Sequence, residues 1–344
     1  MGQMRAAVLR RLNEPLSIED LEIPSLFDGQ VLVKLAYSGI CRSQLMEVEG
    51  KRGPDNWLPH LLGHEGSGFV EAIGAGVTKL KVGDRVGVSW LPSSGRDSDT
   101  PSYIKCGSSE TINSGKTTTF SEFSIVPENR VFKVPSNITL IEAVLFGCAL
   151  STGAGMVFNE TKPQNLTDKI LVYGIGGVGL SCLITLLACG YQNIIVADVS
   201  TFKLKVAKSL GIIKRANMQN SSDKAMLNGL TFDFIFEATG SIEGIEYCFE
   251  LLENNGTLLF ASHPEYGSKI KIDPYGLIKG KKILGSWGGS SNPELIIEKF
   301  SEFKEKNNID LSVCLGSIYP LEKINEALMD LKNYKSVRPI IKFN

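Results

Sequence analysis

The sequence lacks a long apolar run. Its most apolar stretch, residues 180–188, is too short to span a bilayer and is interrupted by Ser181 and Thr185. The first residues contain no apolar segment of secretory-signal length, and Ala6 lacks the hydroxyl of a myristoylation signal. Net charge is also missing: 36 basic and 37 acidic residues leave −1. Nothing in that balance favours nucleic acid or an anionic membrane as a partner. Repeats of roughly 20–50 residues are absent, as are low-complexity segments. The cysteine count is seven, an odd number that argues against a disulfide framework. Together these absences predict a soluble, cytoplasmic protein with no nucleic-acid or membrane partner.

At 344 residues, the chain is too long for one ordinary core, so two domains are expected. The first half reads as short strands and turns. Residues 31–36 alternate like a half-buried strand, residues 68–74 form another, and Val82-Gly83-Asp84-Arg85 turns into a strand over 86–90. Residues 92–119 are rich in Ser, Gly, Thr and Asp and read as a long surface loop. From about residue 150 strands alternate with helices: strands at 169–173, 193–197, 232–237 and 256–261, helices at 178–188, 202–210 and 242–252. That rhythm predicts an α/β unit with a doubly wound parallel sheet.

Residues 174–179 read Gly-Ile-Gly-Gly-Val-Gly between a strand and a helix. Gly174 permits the tight turn, Gly176 lets the backbone meet a pyrophosphate, and Gly179 lets the helix pack closely on the strand. Gly177 and Val178 open the helix, whose free N–H groups and positive dipole end suit phosphate. Asp198 ends the next strand, where a carboxylate would hold the adenosine ribose hydroxyls and repel a 2′-phosphate. No Arg follows closely, so NAD is expected rather than NADP. A solvated strand-end Asp is the other reading of Asp198.

Cys41, His64 and Cys148 offer two thiolates and one imidazole. That donor set suits Zn²⁺ and leaves a fourth position open for substrate. Spacing alone also admits two buried cysteines and a satisfied histidine. Cys182, Cys189 and Cys248 lie in apolar contexts, where free cysteine acts as a small hydrophobe.

The run Gly63-His64-Glu65, with Gly68, Gly74 and Val77, resembles the zinc signature of the medium-chain dehydrogenase/reductase family. Cys41-Arg42-Ser43 resembles its first-ligand motif, and residues 146–153, Phe-Gly-Cys-Ala-Leu-Ser-Thr-Gly, resemble the segment of its third ligand. Residues 174–179, Asp198 and Lys203 resemble its cofactor site, and residues 334–338 its C-terminal segment. The resemblance covers the whole chain.

It implies a GroES-like catalytic β domain over residues 1–151 and 288–344, with a Rossmann domain over 152–287 between them. The active site would lie in the cleft, with one catalytic zinc on Cys41, His64 and Cys148 and Glu65 as a transient or additional ligand. Arg42 and Arg338 would hold the NAD pyrophosphate, Lys203 the ribose, and Thr152 and Val178 the nicotinamide face. Ser43 would take the alcohol proton, and Trp90 would narrow the pocket. The substrate would be an alcohol or carbonyl compound, small or sugar-like, and the protein a homodimer or homotetramer.

The sequence departs from the family in three places. The lobe at residues 91–119 contains only Cys106, so the family's second, structural zinc is not expected. Gln44 stands where an Asp usually orients the ligating histidine. Met46 stands where a histidine usually ends the proton relay, and a thioether cannot carry a proton. His263 follows the strand at 256–261, where strand ends face the ligand crevice, and reads either as the missing base or as a solvent-facing turn residue. Lys51 and Arg52 read as loop charges or as contacts for an anionic or sugar-like substrate. A zinc-free quinone or enoyl reductase on the same fold, or a non-catalytic NAD-binding protein, is the alternative reading.

Overall fold

The computed structural model describes residues 2–307 and 309–344, so Met1, which opens the N-terminal segment read above, lies outside it. The chain divides into two units, Met1–Cys148 with Asn292–Asn344, and Ala149–Ser291. The first segment contains β1 (Gln3–Leu9), β2 (Ser17–Glu22), β3 (Gln30–Gly39), α1 (Arg42–Val48), β4 (His60–Leu61) and β5 (Glu65–Ile73). It continues with β6 (Arg85–Ser89), β7 (Tyr103–Lys105), β8 (Thr111–Ile112), β9 (Phe123–Pro127), β10 (Val131–Lys133) and α2 (Leu140–Phe146). The second unit contains α3 (Ala149–Gly155), β11 (Ile170–Tyr173), α4 (Gly177–Ala188), β12 (Ile194–Asp198), α5 (Thr201–Ser209), β13 (Arg215–Asn217) and α6 (Ser221–Asn228). It ends with β14 (Phe232–Glu237), α7 (Ile242–Glu250), β15 (Leu252–Phe260), α8 (Pro274–Ile278) and β16 (Lys282–Gly285). The chain then returns to the first unit through α9 (Pro293–Asn307), β17 (Ile318–Pro320), α10 (Ile324–Lys332) and β18 (Ile340–Lys342).

The first unit is built on two sheets. One runs β4-β1-β2-β7-β8; the other runs β10-β6-β5-β3-β18-β17, with β9 also pairing β3. In β3 the side chains of Val31, Val33 and Leu35 are buried while Lys34 is exposed, the alternation expected of a strand with one face on a core. Those three residues join Val70, Val86, Val88, Val126 and Ile341 in one apolar cluster. β18 lies between β3 and β17, pairing Ile340 with Gly39 on one side and with Ile318 on the other.

The stretch at 92–119 is not a plain loop. β7 and β8 form a short hairpin that extends the sheet from β2, with Leu21 opposite Lys105 and Tyr103 buried in the core. Each strand is only two or three residues long, so the polar composition conceals it. Glu128 anchors the start of this stretch. Its Oε1 accepts the N–H groups of Thr78 and Lys79 at 2.7 Å each, and its Oε2 accepts that of Arg96 at 2.9 Å.

In the second unit the six-stranded sheet runs β13-β12-β11-β14-β15-β16, parallel throughout. The order reverses between β11 and β14, which opens a crevice beyond their carboxyl ends. α4 is buried along most of its length, which explains why its sequence is largely apolar, with the hydroxyls of Ser181 and Thr185 donating to carbonyls four residues back. Among the described residues, no single helix is long and apolar enough to cross a membrane.

Burial alone would raise the Glu128 carboxyl, but the N–H groups around it and the Lys79 charge hold it below the usual range. Its stabilising contribution is therefore present at neutral pH and is lost as pH falls through that lowered value. Glu128→Gln turns one acceptor into a donor facing backbone N–H groups. It is expected to cost about 2 kcal/mol at neutral pH and less at acid pH; urea unfolding across pH checks this, and a pH-independent difference contradicts it.

Candidate metal and dinucleotide sites

Cys41 precedes α1, and Gln44 ties the two together: its Oε1 accepts the Cys41 N–H at 2.9 Å. His64 immediately precedes β5. Cys148 follows α2, whose start is fixed by Thr139, which accepts the Glu142 N–H while the Glu142 carboxylate accepts back from Thr139. Two glycines allow these elements to meet. A Cβ on Gly39 would lie 2.6 Å from Glu65 Oε1, and one on Gly147 would lie 2.5 Å from the Val88 carbonyl and 2.6 Å from Glu65 Cβ. The result is a Cys41–His64–Cys148 cluster with all ligand atoms within 4.8 Å of one another.

The donor set fits a metal. His64 Nε2 is buried with no hydrogen-bond partner, and so are Ser43 Oγ and Glu65 Oε2. Cys41 lies well below the usual thiol range, held there by a hydrogen bond from Cys148 and by the Arg338 charge against the opposing effect of burial. Cys148 is correspondingly pushed up, so the pair shares one negative charge. Glu65 is fully buried and raised by that burial, against the pull of Arg338, whose guanidinium donates to Glu65 Oε1.

Gln44 is an imperfect substitute for a carboxylate. While its oxygen holds the Cys41 N–H, its amide nitrogen meets His64 Nδ1. A neutral His64 that accepts at Nδ1 carries its proton on Nε2, whereas ligation through Nε2 needs the other tautomer. Ligation therefore requires Gln44 to turn its oxygen toward His64.

The remaining predicted residues of this unit are distributed as follows. Trp90 packs beside His64, with ring centroids 6.3 Å apart. Arg42 is exposed, its guanidinium 5.8 Å from the centre of the Tyr334 ring, and Met46 is buried in α1. Arg52 meets Glu47 and Lys51 meets Glu49, both at 3.4 Å, so each loop cation has a carboxylate beside it.

In the second unit the turn at 174–179 divides its glycines by role. Gly174 has φ +88°, and a Cβ on Gly179 would lie 1.9 Å from the Gly174 carbonyl oxygen. A Cβ on Gly176 meets nothing within 4 Å, so space for a ligand lies above it. Gly177 and Val178 open α4, and Thr152 is buried in α3. Asp198 stands at the end of β12; its Oδ2 accepts the Ile175 N–H at 2.7 Å, its Oδ1 the Ser200 N–H at 2.8 Å, and Lys203 Nζ lies 3.5 Å away. His263 is exposed and packs edge-on against Trp287, centroids 5.7 Å apart.

Sequence reading missed Glu237 in this unit. It is buried at the end of β14, accepts from the Thr239 N–H, and is pushed up by burial to about 7. Its position, one strand across from the Gly174 turn, was the available signal.

One unit with a parallel doubly wound sheet and one built on two β-sheets, in a single chain, define a two-domain architecture, Rossmann-type and GroES-like, of an oxidoreductase class. Residues 27–136 match the family model for the alcohol dehydrogenase GroES-like domain, and residues 177–304 match that for zinc-binding dehydrogenases. The chain belongs to the medium-chain alcohol dehydrogenase family. Among solved structures, benzyl alcohol dehydrogenase from Acinetobacter calcoaceticus is 27% identical, covering 100% of both chains at a TM-score of 0.89. An alcohol dehydrogenase zinc-binding domain protein from Burkholderia ambifaria is 25% identical, covering 100% of this chain and 99% of that one at 0.90. A short chain alcohol dehydrogenase from E. coli CFT073, complexed with NADH, shares the fold at 22% identity and a TM-score of 0.80, covering 100% of both chains.

The glycine geometry predicts opposite outcomes at two neighbouring positions. Gly179→Ala forces the helix off the strand and is expected to cost about 3 kcal/mol. Gly176→Ala is expected to stay within about 1 kcal/mol of the parent, because its methyl group enters open space. Chemical denaturation of both variants checks this; equal losses contradict it.

Proposed function

We propose that the chain is a zinc-dependent alcohol dehydrogenase that moves a hydride between NAD and the carbinol carbon of an alcohol. The observation that carries this reading is a histidine with a buried, unpartnered Nε2, His64, clustered with two cysteines whose ligand atoms lie within 4.8 Å. Cys41, His64 and Cys148 would hold the zinc and leave a fourth position open, with Glu65 Oε2 close enough in the sequence and free enough to serve as an additional ligand. Gly174, Gly176, Gly177, Val178 and Gly179 would hold the NAD pyrophosphate, Asp198 and Lys203 its ribose, and Thr152 with Val178 the nicotinamide. When bound, zinc supplies Lewis acidity toward an alcohol oxygen and NAD supplies the hydride acceptor.

The protein's own groups do the rest. Ser43 Oγ, buried and without a partner, would accept the proton of the substrate hydroxyl while passing its own toward the nicotinamide ribose. Met46 cannot carry that proton further, so it does not leave along α1. Glu65 and Arg338 neutralise each other under the cluster, which keeps two buried charges from unfolding it. Trp90 walls the cluster beside His64 and restricts the alcohol's bulk. Asp198 keeps acceptor capacity on both oxygens after meeting Ile175 and Ser200, which suits ribose hydroxyls.

The purified protein is expected to retain one zinc per chain through dialysis and to oxidise alcohols with NAD⁺. Cys41→Ala, His64→Ala and Cys148→Ala should each lose the metal and about a thousandfold or more of turnover while still binding NAD. Elemental analysis with an alcohol panel decides, since undiminished turnover without metal would favour a zinc-free reductase.

Asp198→Gly is expected to weaken NAD binding about tenfold and to narrow the preference over NADP, because the carboxylate that repels a 2′-phosphate is gone. Dissociation constants for the two cofactors provide the check. A parent protein that binds both equally would remove this role from Asp198.

A further inference from the structure

The chain has three histidines, and His60 is as deeply enclosed as a core residue. It stands at the start of β4, and two carboxylates converge on it: Asp55 from the preceding loop and Glu47 from the last turn of α1. One ligand atom from each of the three lies within 4.8 Å of the others.

The hydrogen bonds of His60 fix its tautomer. Nδ1 lies 2.9 Å from the Leu61 carbonyl oxygen, which can only accept, so Nδ1 carries a proton and donates it. A neutral ring then presents a bare lone pair at Nε2. That lone pair points at Asp55 Oδ2, 2.8 Å away. Two acceptors at this distance repel unless a second proton on Nε2 or a metal cation lies between or beside them, and the nearby Glu47 carboxylate supplies the third donor that a cation, unlike a proton, would use. The ring is also held in the way typical of a metal-ligating histidine, with its far N–H on a backbone carbonyl. His64 lacks this arrangement, because Gln44 meets its Nδ1 with an amide nitrogen.

We infer that Glu47, Asp55 and His60 form a second divalent-cation site, separate from Cys41, His64 and Cys148. One imidazole and two carboxylates suit Zn²⁺ or Co²⁺, with an open position left for water. Asp55 is pre-oriented for this: its Oδ1 accepts the Trp57 N–H at 3.0 Å and leaves Oδ2 for the cation. Among the described residues, the competing charge is Arg52, whose Nη1 is 3.4 Å from Glu47 Oε2. Arg52 is exposed and can turn into solvent when a dication takes its place.

The site joins two segments of the chain. α1 begins just after Cys41 and carries Glu47 in its last turn, and the segment from Asp55 passes through His60 to His64. A cation there clamps the two elements that deliver Cys41 and His64 without touching either. It is expected to bind more weakly and exchange faster than zinc on thiolates, since its carboxylates remain partly exposed.

Co²⁺ is the probe, because thiolate ligands give it a near-ultraviolet charge-transfer band that nitrogen and oxygen ligands do not. The metal-stripped full chain is titrated alongside the Cys41→Ala/Cys148→Ala double variant. The double variant should still bind about one Co²⁺ per chain, without the thiolate band, and its melting temperature should rise with Co²⁺. Adding Asp55→Asn or Glu47→Gln should each weaken that binding on the order of tenfold or more and abolish the rise, with the circular dichroism spectrum unchanged. Two substitutions on different elements guard against a local folding defect in either one. The inference is overturned if the double variant binds no Co²⁺, or if its Co²⁺ binding is indifferent to both substitutions.

Discussion

The ion pair between Arg338 and Glu65 sets the terms for the whole first unit. Both side chains are buried, and neither charge can be left alone there without a penalty of several kcal/mol. Glu65 belongs to β5, directly after His64; Arg338 arrives with β18 from the far end of the sequence. Satisfying the pair therefore requires β18 to be in register against β3, with Ile340 opposite Gly39. Gly39 in turn must lack a side chain to leave room for the Glu65 carboxylate, and Gly147 must lack one to let Cys148 close over it. Cluster geometry thus follows from accommodating one buried carboxylate and its partner.

Much of this could be read from the sequence, because the relevant residues are constrained by local rules. The turn at 174–179 needs glycine for conformational and steric reasons that act within six residues, and the alternation of strands with helices after it is a periodicity. β3 reveals itself by its alternation, and α4 by a largely apolar sequence that only Ser181 and Thr185 interrupt. Cys41, His64 and Cys148 were legible only through the motifs around each, since their proximity arises from three separate elements.

What escaped sequence reading depends on pairings across long separations. β7 and β8 are too short and too polar to show a period, and they exist because β2 offers an edge to pair with. Glu128 resembles any surface glutamate until Thr78, Lys79 and Arg96 are seen to aim N–H groups at it; among the described residues it anchors a lobe whose sequence carries only one cysteine. Lys51 and Arg52 read as loop charges or as contacts for an anionic or sugar-like substrate, and each lies against a carboxylate that the sequence does not point to. Gln44 was legible as a departure, but the conflict between its two ends appears only when both partners are placed.

The position of β18 bears on how the chain is made. Ala149–Ser291 is one continuous stretch and can fold as soon as it leaves the ribosome. The first unit cannot: its seven-stranded sheet lacks β17 and β18 until residues 318–342 emerge, the last of them some 270 residues after β5. Throughout that interval Glu65 has no counter-charge and the strand beside it has an open edge. The half synthesised first is therefore the half completed last, and nascent chains spend most of their elongation time with that sheet open to pairing with the wrong strand.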